Sequence, residues 1–440
     1  MRVDCTYKTL GGISLSKTKV FYGWWVLSGL FILMMVTVGL AVNSFSFFYK
    51  PVTDSLGITI GEFSLTSSIC AIFAMFGALI VGNVIKRVNL RILVTVSTVV
   101  YVAGILAESQ CRTLPQFYIA AMVIGLGYAG VGGVGVSQIV ANWFKDKQGL
   151  AMAIAMMGSG FGGMIFSPLI ESLCRNLGWQ NAYIIIGIIV AVITLPVTLF
   201  ILRLHPSEMG LVAYGSKNDD SEKKEEIGLT LKEAVKKVSF WGLCLTNLIA
   251  GLLIMGVQSH VPTFIQTVGL TSSFAALIMV ISNAVLIPGK LLFGAVNDKF
   301  GAKNSALYIF ALYIVTLLSM YVLKSSGTAF IFAILFGFAG AITTVALPVW
   351  AVALVGNRDY ALIFSIMSVF MTIGAAIGSP LTGLIYDATG SYATAWIVLV
   401  IIAAFGLLTT YFSIACGVKK PIKRDIRIPG QKYDIEEGVS

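Results

Sequence analysis

The stretch ISNAVLIPGKLLFGAVNDKFG, residues 281 to 301, is apolar for most of its length and ends in a polar turn punctuated by Gly294 and Gly301. It carries one cation, Lys290, well inside its apolar part. The composition of the whole chain decides which solvent surrounds such a stretch. Of 440 residues, 57% are hydrophobic and only 11% are charged, and the mean hydropathy is +0.91. A soluble chain of this size needs roughly twice that charged fraction to cover its surface, so the outer solvent is lipid. In hydrocarbon each backbone polar group must be satisfied within the structure, which leaves helices or a closed barrel. Apolar runs of about 20 residues exclude the barrel, whose strands are short and alternating.

Outward from 281–301, hydropathy predicts twelve spans, near 21–48, 63–85, 91–108, 115–141, 149–171, 180–202, 240–266, 273–296, 304–323, 329–355, 361–386 and 392–416. The first has no small-residue cleavage site after a short core and is not a removable signal peptide. With both termini on the cytoplasmic side, 25 of the 30 Lys and Arg fall in cytoplasmic segments, against Lys50, Arg112, Arg175 and Lys324 on the other face. The positive-inside rule therefore predicts cytoplasmic termini in a multi-pass protein of the plasma (inner) membrane. The net charge of +10 then faces anionic headgroups, and no nucleic-acid partner is needed to explain it. Six cysteines in a chain this long make no disulfide framework.

An offset of 212 residues superposes landmarks of one half on the other: Gly57 on Gly269, Thr59 on Thr271, Gly82 on Gly294, Ser167-Pro168-Leu169 on Ser379-Pro380-Leu381, and Gly178 on Gly390. One constant offset across so many helices predicts parallel repeats, with a substrate midway between them. The expected fold is an all-α membrane protein of two six-helix pseudo-symmetric halves, 1–204 and 238–418. A cytoplasmic linker, 205–237, joins them, and a basic tail, 419–440, follows. Thr230 and Glu233 form a Thr-x-x-Glu capping box that opens a short amphipathic helix in the linker.

GAVNDKFGAK (294–303), between spans 8 and 9, resembles the loop motif of the major facilitator superfamily. YGWWVL (22–27) and NWFKDKQGLAMAIAMMGSGFGG (142–163) are similar to the monocarboxylate transporter family, and LFGFAGAITTVALPVWAVALVG (335–356) with GLIYDATGSYATAW (383–396) to its bacterial oxalate/formate antiporter branch. The resemblance implies a transporter working by alternating access, with Asp298, Lys299 and Lys303 latching a gate. It also implies a substrate-binding role for Lys290, because the family has an arginine in this span four residues before a glycine, where Lys290 precedes Gly294. Asn43 stands where the animal branch has a lysine.

The residues give their own reading. A charge at the bilayer centre costs about 3 kcal/mol or more and should face a cavity. Asp298 marks the end of the span, and eight residues at 1.5 Å put Lys290 roughly 12 Å deep, about twice the reach of a snorkelling lysine. With no Asp or Glu well inside any span, its partner is an anion from solution. Asn283 lies two turns away on the same helical face. His260 is open between a packing residue and a proton-sensitive ligand, as are Ser365, Ser368 and Thr372 between a cavity stripe and a packed one. Gly158 and Gly162, and Gly374 and Gly378, strip helical faces for close approach, with static packing and sliding both open.

Transport of a small organic anion, with a proton or an exchanged anion as coupling partner, is the leading expectation, and the carrier is expected to act as a monomer. A cation or drug exporter would need a buried acid. An enzyme or sensor would need a catalytic constellation or an effector domain. No Walker-type Gly-Lys-Ser/Thr and no zinc spacing is present, so no cofactor is expected.

Overall fold

The computed structural model describes residues 21–84, 90–144, 148–203, 205–215, 229–323, 325–355 and 359–417. Among them no strand runs beyond an isolated bridge between Phe144 and Tyr214. The helices of the N-terminal half are α1 (Gly23–Ala41, resumed as Phe45–Phe48 and Tyr49–Leu56), α2 (Ile60–Val84), α3 (Leu90–Glu108), α4 (Leu114–Val131, resumed as Gly133–Trp143), α5 (Gln148–Leu177) and α6 (Trp179–Pro196). In the C-terminal half α7 is Val238–Gln258, resumed as Val261–Thr267. The segment Ser272–Tyr321 is continuous in hydrogen bonding, yet Gly301 inside it has φ 78° and ψ 170°. Only glycine takes up that backbone without strain, so the segment is two helices, α8 (272–300) and α9 (302–321), with the polar turn at their junction. Then come α10 (Ser326–Ala339, resumed as Leu347–Val355), α11 (Tyr360–Thr389) and α12 (Tyr392–Gly417). By length and apolarity 10 segments among the described residues can cross a membrane, one of them the merged α8 and α9, while Ser326–Ala339 is shorter.

The 212-residue repeat is visible in the backbone. Gly57 and Gly269 end the first helix of each half at φ 66° and 92°, and Gly178 and Gly390 end the fifth at φ 81° and 67°. All four have a positive φ, which only glycine adopts without strain, and that is the physical reason the repeat keeps glycine there. Pro168 and Pro380 both lie inside helices, α5 and α11. The turns with these glycines lie on one side of the molecule, here called the sparse face because its loops carry few cations; the side with the α8–α9 turn and the linker is the basic face.

Each half is packed around its own glycines. A methyl group at Gly158 or Gly162 of α5 would run into the Phe31 and Met35 carbonyls of α1, and one at Gly374 or Gly378 of α11 into the Leu248 and Leu252 carbonyls of α7. These faces hold helices together within a half, so the static reading applies to them. The linker is anchored at both ends. The Tyr214 N–H donates to the Trp143 carbonyl (2.9 Å), and the Leu229 N–H to the Val355 carbonyl (2.8 Å). The Leu231 N–H donates to Asp359 Oδ2 (2.8 Å). The Thr230–Glu233 capping box forms as expected, but the helix it opens is one turn, Leu231–Ala234. The middle of the linker and the basic tail lie outside the described residues.

Candidate substrate site

A cavity of about 270 Å³ lies between the halves. Two breaks shape it. α1 is interrupted after Ala41 and α7 after Gln258, and the interruptions bring Asn43 and Gln258 together from opposite halves. Asn43 Nδ2 donates to the Ser159 carbonyl of α5 (2.8 Å), and Gln258 Nε2 makes a long contact of 3.5 Å to Asn43 Oδ1. Asn283 of α8 reaches the same region, its amide lying directly over Gly163 of α5, where any side chain would displace it. Asn43, Gln258, Asn283 and Lys290 all line the cavity. Asn43, Gln258 and Asn283 are at least nine-tenths buried.

Lys290 sits two turns along α8 from Asn283, toward the basic face. It has no ion-pair or hydrogen-bond partner among the described residues. The walls between lysine and amides are apolar, with Leu286, Met255, Met371 and Phe336 prominent. The site is therefore a low-dielectric chamber holding one cation that none of the described residues neutralises, the arrangement in which a ligand carboxylate has most to contribute.

His260 is elsewhere. It is fully buried above the cavity, at the break in α7, and does not line it. A carbonyl only accepts, so Nε2 donates to the Ser379 carbonyl (2.8 Å), which leaves Nδ1 to accept from the Tyr392 hydroxyl (3.3 Å). Its ring also meets Tyr49 edge-on at 5.8 Å. Both nitrogens are engaged, so the reading of His260 as a substrate ligand gives way to packing: the break turns the ring away from the chamber and into α11 and α12. The serine–threonine stripe on α11 also fails to line the cavity. Ser368 and Thr372 donate to carbonyls of their own helix (2.8 and 3.1 Å), and α11 offers Met371 and Ala375 instead.

The gating trio lies on the basic face, and all three residues are exposed. Lys303 rests over the Tyr411 ring of its own half at 4.3 Å, and Lys299 over Phe300 at 5.4 Å. Asp298 has no hydrogen-bond or ion-pair partner among the described residues. Among the described residues no hydrogen bond, ion pair or cation–ring contact joins this trio to the other half.

What joins the halves is on the sparse face. Glu171, at the end of α5, accepts from the Ser272 and Ser273 hydroxyls at the start of α8 (2.6 and 3.1 Å), with Arg175 Nε 3.5 Å away. Asp387, at the end of α11, accepts from the Gly61 N–H at the start of α2 (2.8 Å). The Tyr49 hydroxyl lies 3.1 Å from Ser379 Oγ, and Ser68 Oγ donates to the Ala376 carbonyl. Sequence reasoning missed Glu171 and Asp387 because both fall at span ends, where a carboxylate reads as a solvated boundary. Gln258 does carry a sequence signal: with Ser259 it interrupts an apolar run beside His260 and makes a wet wall there plausible.

Two halves joined at one face, with a chamber between them, is a carrier geometry, and a family model decides which carriers share it. The model described as Major Facilitator Superfamily matches residues 30–328 and 266–425. The chain belongs to the major facilitator superfamily. Among relatives, it is 24% identical to monocarboxylate transporter 13 of Rattus norvegicus, covering 95% of this chain and 97% of that one. It is 27% identical to the MFS-type transporter pytF of Aspergillus terreus over 64% of this chain and 91% of that one. Among solved structures, the nucleoside transporter NupG superposes with a TM-score of 0.72 at 13% identity, over 88% of this chain and 99% of that one, a likeness of fold. As a major facilitator protein the chain is a multi-pass membrane transporter, and the chamber between its repeats lies where such folds hold substrate.

Proposed function

We propose that this chain is a secondary active transporter of a small organic anion, a monocarboxylate, moved across the plasma membrane by alternating access. The observation that carries the reading is Lys290, a cation lining the chamber between the halves with no acidic partner among the described residues. A carboxylate entering the chamber supplies the missing charge. One ammonium gives point attraction without a bidentate fork, so a single carboxylate is matched better than two. The positive-inside count puts the sparse face outside. In this state the Glu171, Asp387 and Tyr49 contacts close that side, while the trio at 298–303 is free to latch the opposite side in the alternate state. Relatedness to monocarboxylate transporter 13 supports the substrate class.

The coupling partner is a proton or an exchanged anion. A lysine can release its proton where a guanidinium cannot. Uptake of labelled monocarboxylates by proteoliposomes, with and without a pH gradient, tests the proposal. Lys290→Met should abolish uptake while the protein stays folded. Lys290→Arg should retain binding and, if coupling runs through this ammonium, lose its response to the gradient. Wild-type rates in Lys290→Met would reduce the lysine to a snorkelling residue. The apolar walls favour a second reading, carriage of a neutral lipophilic compound, which predicts uptake indifferent to Lys290→Met.

A further inference from the structure

The chamber has two polar ends. Lys290 forms one, and the amides of Asn283, Gln258 and Asn43 form the other, with Leu286, Met255, Met371 and Phe336 between. Along α8 the seven residues from Asn283 to Lys290 span about 10 Å at 1.5 Å per residue, and the lysine's four-carbon stem covers part of that distance. A ligand that reaches only the ammonium leaves the amide end unmet.

The hydrogen bonds fix which way those amides face. Asn283 Nδ2 donates to the Met279 carbonyl (2.8 Å), which leaves Oδ1 and the second Nδ2 hydrogen as its free positions. Asn43 Nδ2 is committed to the Ser159 carbonyl, so Asn43 Oδ1 is the atom Gln258 Nε2 approaches, which leaves Gln258 Oε1 free. Neither Asn283 Oδ1 nor Gln258 Oε1 has a hydrogen-bond partner among the described residues. Both side chains are more than nine-tenths buried and line the chamber. The unmet capacity at this end thus includes two carbonyl-type oxygens, which only a donor satisfies, beside the second N–H of each amide, which an oxygen such as a hydroxyl can accept from.

We infer that the substrate is a bifunctional monocarboxylate: a carboxylate for Lys290, a short apolar middle, and a neutral hydrogen-bond donor, a hydroxyl or amide N–H, for Asn283 Oδ1 and Gln258 Oε1. This rests on Lys290 as the carboxylate anchor. A second carboxylate at the far end offers no donor and meets no cation. A plain alkyl end leaves two chamber-facing acceptors without a protein or ligand partner, and sites built to bond a polar group discriminate strongly against analogues that lack it. Gln258 and Asn283 are then the specificity-determining residues of the far end.

Equilibrium binding to the purified full-length chain tests this, with three six-carbon probes: hexanoate, ω-hydroxyhexanoate and adipate. The hydroxy acid should bind about tenfold more tightly than hexanoate, and adipate more weakly than either. In Gln258→Met or Asn283→Leu the ratio of hydroxy acid to hexanoate should fall toward one. A loss of folded protein lowers both affinities together and does not move that ratio. Lys290→Met should weaken both probes and keep the sense of the preference. Equal binding of hexanoate and its hydroxy analogue to the wild type, lost in Lys290→Met, overturns the far-end assignment and leaves the anchor standing. A preference that survives both amide substitutions also overturns it. Absence of binding by all three probes overturns the assignment together with the anchor.

Discussion

In the N-terminal half the positions that repeat Lys290 and Asn283 are Ala78 and Ala71, and the position that repeats Gln258 is Ser46. Conversely Asn43 is repeated by Met255, and both line the chamber. The two halves share turns, prolines and glycine-packed helix pairs, yet their chemistry at equivalent positions differs. The C-terminal half supplies the charge and most of the wall; the N-terminal half supplies one amide and a backbone carbonyl. Duplication explains the frame where both copies keep a backbone close approach, as at Gly162 and Gly374, while Gly158 and Gly378 are matched by Phe370 and Phe166. It places no demand on residues that meet a ligand, and one ligand between two halves breaks the symmetry.

The sharpest way to break that comparison is through adjacent glycines of α5. Gly162 and its repeat Gly374 both press on a carbonyl within their own half, whereas Gly163 faces the Asn283 amide of the other half, and its repeat is Ala375 in the chamber wall. Gly162→Val and Gly374→Val should each destabilise the fold by about 3 kcal/mol, because the obstacle is backbone that cannot rotate away. Gly163→Ala should cost less stability and instead disturb the Asn283 amide, weakening substrate binding several-fold. Melting temperature read beside binding affinity separates the two. Equal melting temperatures for the Gly162 and Gly163 variants would remove the distinction between frame and site.

A middle-sized effect is expected at the sparse face. The two carboxylate clasps occupy symmetry-related helix pairs, α5 with α8 and α11 with α2, but not repeated positions: Glu171 is matched by Gly383, and Asp387 by Arg175. Each closes the same seam by its own route. Glu171 takes two hydroxyls, and Asp387 takes a backbone N–H at a helix start, where a negative charge is favoured. Glu171→Ala or Asp387→Ala should shift the balance toward opening of this face by about 1–2 kcal/mol, the worth of hydrogen bonds to a charged group. Spin-label distances across the seam should then show a larger open population, while Glu171→Gln, which keeps an acceptor oxygen, should shift less. Unchanged distances in both alanine variants would leave closure to apolar packing alone.

The frame was legible in the sequence because lipid and repeat each impose a strict rule: apolar length fixes spans, and left-handed turns fix glycines such as Gly57 and Gly390. The α8–α9 turn was legible for the same reason at Gly301. Lys290 stood out because a cation in an apolar run has few physical explanations. The amide end was only half legible. Asn43 and Asn283 could be flagged as polar, but their convergence with Gln258 depends on breaks in α1 and α7 that no local pattern marks. Glu171 was hidden by the opposite effect, since at a span boundary burial and exposure look alike until the neighbouring helix start is in place.

His260 gives the smallest effect and the cleanest separation of frame from site. Its position in the first half is occupied by Phe48, itself buried and stacked on Tyr183 at 3.8 Å, so both copies use an aromatic ring to fill the same corner. The imidazole adds two hydrogen bonds, and through Ser379 it touches the Tyr49 contact that joins the halves. A packing role predicts that His260→Phe, which keeps a ring and loses both bonds, costs about 1 kcal/mol of stability. Leaving the Ser379 carbonyl and Tyr392 hydroxyl without that partner accounts for the cost. Substrate affinity should stay within about twofold of wild type, because the ring lies outside the chamber. A large loss of affinity with an unchanged melting temperature would return His260 to the binding site and place the chamber's upper boundary one helical break further toward the sparse face.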